Sequence, residues 1–312
     1  MFKLSRKSKN RLYNTLRDVY GYATAPIAIF YLASSTKVHP AYNMTWPKRM
    51  WLGVRFMLNY ARITHGTSWR AHLVMAMKLL EYGPDVKGDV VECGCWKGGS
   101  TVNLSLICKI VGRRLRVYDS FEGLPPPAEG DPAAALSFKN GFVPGVYGGT
   151  QEEVMGNVRR LGAIEVCEFN KGWFENTLPH HEGAIVMAFW DVDLFSSLHD
   201  CLQNLWEWVI DGGAVFTDEY TEIPFCSVFY SEKYWSKYFD CAPPGLVGIG
   251  TGVQVGFHYT DPWIPFLAPK LQTPQSVAYT VKGTRALWEY YPDEFSEQEG
   301  EAEEAAASSQ SN

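Results

Sequence analysis

Acidic side chains follow two apolar runs of the sequence that are separated by one candidate helix. Asp191 comes directly after the run 184–190, and Asp218 and Glu219 come directly after the run 214–217. Asp191 and Asp218 are 27 positions apart, about the length of a strand–helix–strand crossover, whose parallel strands end at the same edge of a sheet. Three carboxylates without histidine or cysteine favour a hard cation, Mg²⁺ before Mn²⁺ or Ca²⁺. The pattern therefore predicts a metal site, although each residue taken singly could equally cap a helix or stay solvated.

Such a site has a use in chemistry at a hydroxyl group. A bound dication lowers the pKa of a hydroxyl, and a carboxylate beside it can accept the proton. The alternative bases are His65, His72, His180 and His181, but a single histidine is more often structural or solvated.

A glycine-rich turn follows the first candidate strand. Glu92 ends this strand, and Gly94, Gly98 and Gly99 lead through Ser100 into a candidate helix. The spacing is neither the dinucleotide fingerprint nor the phosphate-binding loop, and a carboxylate there disfavours pyrophosphate. Glycines let the backbone approach a ligand closely, and a carboxylate attracts cationic groups. The turn suits a ligand with an amino group and a sulfonium.

A second acidic strand end strengthens this interpretation. An apolar run begins at Leu115 and ends at Asp119. Asp119 is 27 positions after Glu92. Doubly wound folds place an acidic side chain at about this offset, where it binds ribose hydroxyls. The alternative for Asp119 is a turn or helix cap ahead of Ser120.

Strand and helix candidates alternate along the chain. The strand candidates are 89–93, 115–119, 163–169, 184–191, 214–218 and 252–258, and the helix candidates are 100–111, 151–161, 197–210 and 227–239. Residues Asp211, Gly212 and Gly213 are expected to end the third helix, because glycine tolerates left-handed backbone. The alternation predicts an α/β fold, with a mostly parallel central sheet flanked by helices.

The two ends of the chain differ in composition from this middle part. Residues 1–80 are predicted to form a helical cover, residues 81–292 the α/β domain, and residues 293–312 a disordered acidic tail with no basic residue. Six basic residues within 1–17 leave open a weak peripheral contact with an anionic membrane, and packing of this arm on the domain is the alternative.

Charge and cysteine content narrow the class of protein. The net charge is −6, but outside the acidic tail the charges nearly balance, which predicts no nucleic-acid partner. The seven scattered cysteines favour reduced thiols in a cytoplasmic protein.

Several segments resemble the macrocin O-methyltransferase family of antibiotic-sugar methyltransferases. The resemblance covers about 88–258, and its segments are Gly88–Ser100, Tyr118–Pro125, Gly172–Pro179, Asp191–Ser197 and Gly212–Tyr220. The Asp-Ser-Phe-x-Gly-Leu-Pro and Gly-Trp-Phe-x-x-Thr-Leu-Pro runs are specific, whereas the glycine turn is not. The resemblance implies a Rossmann-like class I methyltransferase fold whose N-terminal helices cover the active site.

The same resemblance implies a role for each site residue. S-adenosyl-L-methionine would be held by Glu92, Gly94, Gly98, Gly99, Ser100, Asp119, Ser120, Gly172 and Trp173, although Trp173 could equally be a core residue. Asp191 would be both metal ligand and general base, with Asp218 and Glu219 completing the metal site. The family usually has aspartate where this chain has Glu219, and it often has tyrosine where this chain has Phe195.

These observations predict methyl transfer to a hydroxyl of a sugar, glycan or glycosylated small molecule. One alternative is a catechol-type O-methyltransferase, which uses a similar carboxylate and metal site. Another is a binding module that keeps the fold without the chemistry. The sequence leaves the acceptor and any homo-oligomer open.

Overall fold

Short apolar runs form the strands of one central sheet. The run Ile185–Trp190 is buried at every position, as expected of a strand covered on both faces. The computed structural model describes residues 19, 22–128, 131, 143–221, 223–251 and 277–284. Within these residues the sheet has seven strands: β1 Asp89–Cys93, β2 Leu115–Asp119, β3 Cys167–Lys171, β4 Ile185–Trp190, β5 Val209–Thr217, β6 Gly248–Thr251 and β7 Val277–Val281.

The order of the strands is β3-β2-β1-β4-β5-β7-β6. The first five are parallel, and β7 runs antiparallel to both β5 and β6. Cys93 pairs with Tyr118 on one side and with Trp190 on the other, and Trp190 pairs with Thr217. The carboxyl ends of four neighbouring strands therefore lie at one edge of the sheet. The predicted α/β fold with a mostly parallel sheet is confirmed.

Helices connect these strands and cover the sheet. They are α1 Ala25–Ala33, α2 Trp46–Tyr60, α3 Trp69–Leu79, α4 Gly99–Val111, α5 Gln151–Leu161, α6 Phe174–Thr177, α7 Phe195–Leu205, α8 Ile223–Val228 and α9 Glu232–Tyr238. Single 3₁₀ turns occupy Pro40–Tyr42, Ile164–Val166, Leu178–His180, Trp206–Trp208 and Glu219–Thr221.

Three expectations about these elements were wrong. The expected strand 163–169 begins with the 3₁₀ turn Ile164–Val166, and β3 follows it as Cys167–Lys171. Helix α7 ends at Leu205, and Asp211, Gly212 and Gly213 lie inside β5 rather than at a helix end. Gly212 does have a left-handed backbone, with φ of 78°, but it lies within a strand. Its amide donates to the Lys282 carbonyl. The segment 227–239 forms two helices rather than one. The expected strand 252–258 and the tail 293–312 lie outside the described residues.

The three helices that precede the first strand in the sequence, α1 to α3, pack against one another. A Cβ atom added at Gly53 in α2 would lie 3.0 Å from Ile29 of α1 and 3.0 Å from Leu73 of α3, so the three helices meet closely at this glycine. Phe56, Leu73 and Ala76 belong to the same buried cluster as Val102 and Leu104 of α4. In the part of the chain that is described, no helix has the length and apolarity needed to cross a membrane.

The backbone segments that follow β1 and β4 are in direct contact. The Asp191 amide donates to the Cys93 carbonyl over 2.9 Å. Gly94 has a φ of 81°, and a Cβ atom there would lie only 1.8 Å from the Asp191 carbonyl oxygen. A side chain at position 94 would therefore push apart the two strand ends, which explains why this position requires glycine.

We expect Gly94→Ala to destabilise the protein far more than Gly112→Ala. Gly112 also has a left-handed backbone, with φ of 68°, but a Cβ atom there would meet nothing within 4 Å. Gly112→Ala should therefore lose only about 1–2 kcal/mol from backbone strain, whereas the added overlap in Gly94→Ala should bring its loss to about 4 kcal/mol or more. Urea unfolding of both variants measures the difference, and equal losses would refute the packing argument.

Candidate active site

Four acidic residues lie at neighbouring strand ends. Glu92 is the next-to-last residue of β1, and Asp119 is the last residue of β2. Asp191 and Asp218 follow β4 and β5, directly after the paired residues Trp190 and Thr217. The structure thus brings both predicted halves of the site to one edge of the sheet.

Glu92 is a fully buried carboxyl group. Its side chain is 0% exposed, and neither carboxyl oxygen has a hydrogen-bond partner. Burial raises the pKa of Glu92 to about 7, the nearby hydroxyls of Ser100 and Thr101 lower it in part, and the charge of Asp119 raises it further. A cationic group placed beside Glu92 would favour its ionised form.

Asp119 holds the glycine turn in place. One carboxylate oxygen accepts from the Cys95 amide over 2.7 Å, and the other accepts from the Phe121 amide over 2.7 Å. The hydrogen bond from the Phe121 amide, two residues further along, is typical of a turn, which was the alternative expectation for Asp119. Each oxygen keeps a further lone pair, so a diol could still donate to Asp119.

The glycines of the turn are required mainly by protein packing. The Gly94 amide donates to Tyr118 and the Gly98 amide to Cys95, so neither amide is left for a ligand. Gly98 has a left-handed backbone ahead of α4, and a Cβ atom there would lie 2.9 Å from Val154. The first amides of α4, at Gly99 and beyond, have no partner within the helix and remain the donors that the turn can offer.

Ser120 and the segment at Gly172 and Trp173 lie next to Asp119. The Ser120 hydroxyl donates to the Gly123 carbonyl and accepts from the Glu122 amide, so it stabilises its own turn. The Gly172 amide donates to the Asp119 carbonyl over 3.0 Å, and the half-buried Trp173 precedes α6. Direct contact of Ser120 and Trp173 with a ligand stays a prediction.

Asp191 and Asp218 form the centre of the acidic cluster. Burial raises the pKa of Asp191 well above its ordinary value, and the charges of Asp218, Glu219 and Asp193 raise it further. The pKa of Asp218 is raised by burial and by the charges of Glu219 and Asp193. One oxygen of Asp218, Oδ1, is buried without a hydrogen-bond partner. These carboxylates lie close together, and a cation between them would relieve their repulsion.

Glu219 has a structural task in this cluster. Its Oε1 accepts from the amides of Val192 and Asp193 over 2.6 and 2.7 Å, and its Oε2 accepts from the Thr217 hydroxyl over 3.0 Å. Among the residues with described positions, no group of three or more His, Cys, Asp or Glu side chains is arranged to hold a metal ion. The expected role of Glu219 as a metal ligand therefore stays a prediction.

The four histidines considered as alternative bases lie in different surroundings. His72 and His181 are buried, and burial is the main cause that lowers the pKa of both. His181 contacts the Tyr118 hydroxyl and the Gly183 carbonyl, and His180 is exposed. His65 packs against the glycine turn, since a Cβ atom at Gly99 would lie 2.8 Å from the His65 Cβ.

Two further residues near the carboxylates escaped sequence analysis. Tyr147 lies close enough for the charges of Asp193, Asp191 and Asp218 to raise its pKa, after the larger effect of burial. A Cβ atom at Gly66 would lie 3.4 Å from Oδ2 of Asp191. Both residues are in loops, where no periodic pattern signals a contact.

Comparison with known proteins agrees with this arrangement. The family model for macrocin-O-methyltransferase (TylF) matches residues 66–237, which contain all the acidic strand ends. Demethyldecarbamoylnovobiocin O-methyltransferase from Streptomyces niveus is 34% identical over 181 residues, which are 52% of this chain and 68% of that protein. The 8-demethyl-8-(2,3-dimethoxy-alpha-L-rhamnosyl)-tetracenomycin-C 4'-O-methyltransferase from Streptomyces olivaceus is 32% identical over 50% of this chain and 66% of that protein.

Among solved structures, the O-methyltransferase NovP is similar over 85% of this chain and 100% of its own, with 25% identity and a TM-score of 0.47. The family match spans more than half of the chain and includes the specific sequence runs, so the resemblance noted above is confirmed. The chain belongs to the macrocin-O-methyltransferase (TylF) family of S-adenosylmethionine-dependent O-methyltransferases.

Proposed function

We propose that this protein transfers a methyl group from S-adenosylmethionine to a hydroxyl of a sugar, glycan or glycosylated small molecule, and that Asp191 accepts the hydroxyl proton. The observation that carries the proposal is the pair of carboxylates, Asp191 and Asp218, directly after paired residues of two parallel strands. In the same sheet, the neighbouring strand β1 has Glu92 as its next-to-last residue, and β2 beyond it ends at Asp119.

The donor would lie across the ends of β1 and β2. Glu92 would attract its cationic groups, since a buried carboxylate without a partner gains most from an opposite charge. Asp119 would accept from the ribose hydroxyls through the lone pairs that Cys95 and Phe121 leave unused. The first amides of α4 would face the carboxylate end of the donor.

The carboxylates at the ends of β4 and β5 would bind a divalent cation. Asp191 and Asp218 would hold it, because Oδ1 of Asp218 lacks a partner and the two pKa values are raised in part by negative neighbours. Oxygen donors alone suit Mg²⁺. When bound, the cation lowers the pKa of a coordinated hydroxyl. Glu219 would keep the segment after β4 in position through the Val192 and Asp193 amides.

The methyl transfer step balances without a further reactant. The acceptor oxygen forms a bond to the methyl carbon, the bond between that carbon and the sulfonium sulfur breaks, and the sulfur keeps the electron pair. The hydroxyl proton passes to the carboxylate of Asp191. The protein's main contribution is to hold the two reactants in line.

A glycosylated acceptor is supported by the relatives. The name of the Streptomyces olivaceus enzyme includes a rhamnosyl group, and a 31% identical enzyme from Micromonospora griseorubida is named mycinamicin III 3''-O-methyltransferase. Transfer of labelled methyl groups to a panel of glycosides and catechols tests the acceptor class. Methylation of catechols alone would overturn the proposal of a sugar hydroxyl.

We expect Asp191→Asn to lower turnover by about 10²–10⁴-fold, because the amide cannot accept the proton. The affinity for S-adenosylmethionine should stay near that of the wild type, since donor binding depends on β1 and β2. Asp211→Asn is the matched control, because Asp211 is exposed near the opposite end of β5 from Asp218. Turnover and calorimetric donor affinity are the measurements. Loss of donor binding in Asp191→Asn would show that its role lies elsewhere.

Calorimetric titration with Mg²⁺ tests the cation directly. We expect the wild type to bind Mg²⁺ and Asp218→Asn to bind it at least about tenfold more weakly, because an amide oxygen carries no charge. Asp211→Asn should bind Mg²⁺ as the wild type does. Equal affinity in Asp218→Asn and the wild type would refute the proposed ligand set.

Glu92→Gln should stabilise the donor-free protein at pH 8 while weakening donor binding. The folded-state pKa of Glu92 is raised from 4.5 to about 7, so the unfolding free energy of the wild type falls as pH rises between these values. The variant removes this penalty, a gain of roughly 3 kcal/mol at pH 8 that vanishes below about pH 4.

The same substitution should weaken donor affinity by about tenfold or more, because a charge-assisted contact is lost. Wild-type affinity should increase as pH rises through about 7, and the affinity of Glu92→Gln should not. The exposed Glu152→Gln is the control for both unfolding and calorimetry. If Glu92→Gln gained stability without losing donor affinity, Glu92 would have no role in donor binding.

A further inference from the structure

A chain of four buried polar side chains connects the N-terminal helices to α4. Asn59 of α2 donates to Asn103 of α4 over 2.9 Å, Asn103 contacts His72 of α3 over 2.9 Å, and His72 contacts Thr67 over 2.8 Å. All four are at most 4% exposed. We call these four residues the His72 chain.

The direction of each hydrogen bond in the His72 chain follows from its first member. Because Oδ1 of Asn103 accepts from Asn59, its Nδ2 faces His72 and donates to Nδ1 of the ring. The proton of the neutral ring is then on Nε2, which donates to the Thr67 hydroxyl. Burial, and to a lesser extent the charge of His65, lowers the pKa of His72 to about 3, so the ring stays neutral.

Thr67 belongs to the loop 61–68 between α2 and α3, and this loop touches both halves of the site. His65 packs on Gly99, the first residue of α4, so closely that a Cβ atom at position 99 would lie 2.8 Å from the His65 Cβ. Gly66 lies beside Oδ2 of Asp191. Asn103 lies one turn of α4 beyond Gly99. Helix α4 therefore begins at the glycine turn, where the donor is proposed to bind, and also carries Asn103, which links to the loop through His72.

We propose that the His72 chain positions the loop 61–68 over the donor turn, and that Thr67, His72 and Asn103 are positioning residues for S-adenosylmethionine binding. The proposal rests on the proposed place of the donor at the start of α4. Breaking one buried hydrogen bond leaves its partner unpaired, so the chain favours a single arrangement of the loop. Without the hydrogen bond between Thr67 and His72, the loop would lose its fixed contact with Gly99, and the donor would bind a less ordered site.

The test substitutes Thr67, which contributes only a hydroxyl. Thr67→Val keeps the shape but cannot accept from His72, whereas Thr67→Ser keeps the hydroxyl. We expect Thr67→Val to weaken S-adenosylmethionine binding by roughly twofold to thirtyfold, as for other networks that couple to a binding site. Thr67→Ser should restore wild-type affinity.

Ser105→Ala is the matched control for general destabilisation. Ser105 is also buried in α4, where its hydroxyl donates to Val102 and accepts from the Ala163 amide, away from the loop 61–68. The melting temperature should fall in both Ser105→Ala and Thr67→Val, but only Thr67→Val should lose donor affinity. Equal donor affinity in Thr67→Val and the wild type, or equal losses in both variants, would overturn the proposal.

Hydrogen exchange of the wild-type protein provides a test that needs no variant. We expect the amides of the loop 61–68 to exchange more slowly when S-adenosylmethionine is bound, and unchanged exchange would overturn the proposal. Both tests use the donor alone, without metal or acceptor. If the wild type bound no donor, the proposed function itself would fail, whereas normal binding by both the wild type and Thr67→Val would refute only the role of the His72 chain.

Discussion

The close contact between Gly94 and the Asp191 carbonyl is the constraint on which the site depends. It occurs where β1 and β4 end side by side, and it joins the glycine turn to the acidic cluster without an intervening side chain. Adjacent strands are about 4.8 Å apart. A sulfonium group above β1 and an oxygen beside Asp191 would therefore lie within reach of each other, and no domain movement is needed to bring the two halves together.

This arrangement concentrates four carboxyl groups at one edge of the sheet. Burial is the largest cause that raises the pKa values of Glu92, Asp191, Asp218 and Glu219. Each ionised carboxylate lowers the stability of the empty protein, and each gains when a cation binds. The sulfonium and amino groups of the donor would compensate Glu92, and a divalent cation would compensate Asp191 and Asp218. Binding energy and folding stability are thus opposed at this edge of the sheet.

Much of the fold was predictable, because local patterns determine it. The bounds of β1, β2 and α5 were predicted without error, since each is a short apolar or amphipathic run that ends at a glycine or an acidic residue. The pair Gly212 and Gly213 was misassigned, because glycine marks a left-handed residue in a strand as well as at a helix end. The contact of His65 with Gly99 and the position of Tyr147 depend on loops packed by distant residues, and periodicity carries no signal for them.

Glu219 stands where the resemblance implied aspartate, and its contacts show what this glutamate does. Asp193 has a left-handed backbone, with φ of 58°, which is unfavourable for a residue with a Cβ atom. Oε1 of Glu219 accepts from the amides of both Val192 and Asp193, and so stabilises this turn directly after Asp191. An aspartate at position 219 is one methylene shorter and would not span this distance without movement of the backbone. The glutamate thus fixes the direction in which Asp191 leaves β4, and the proposed base depends on it even if Glu219 never touches the cation.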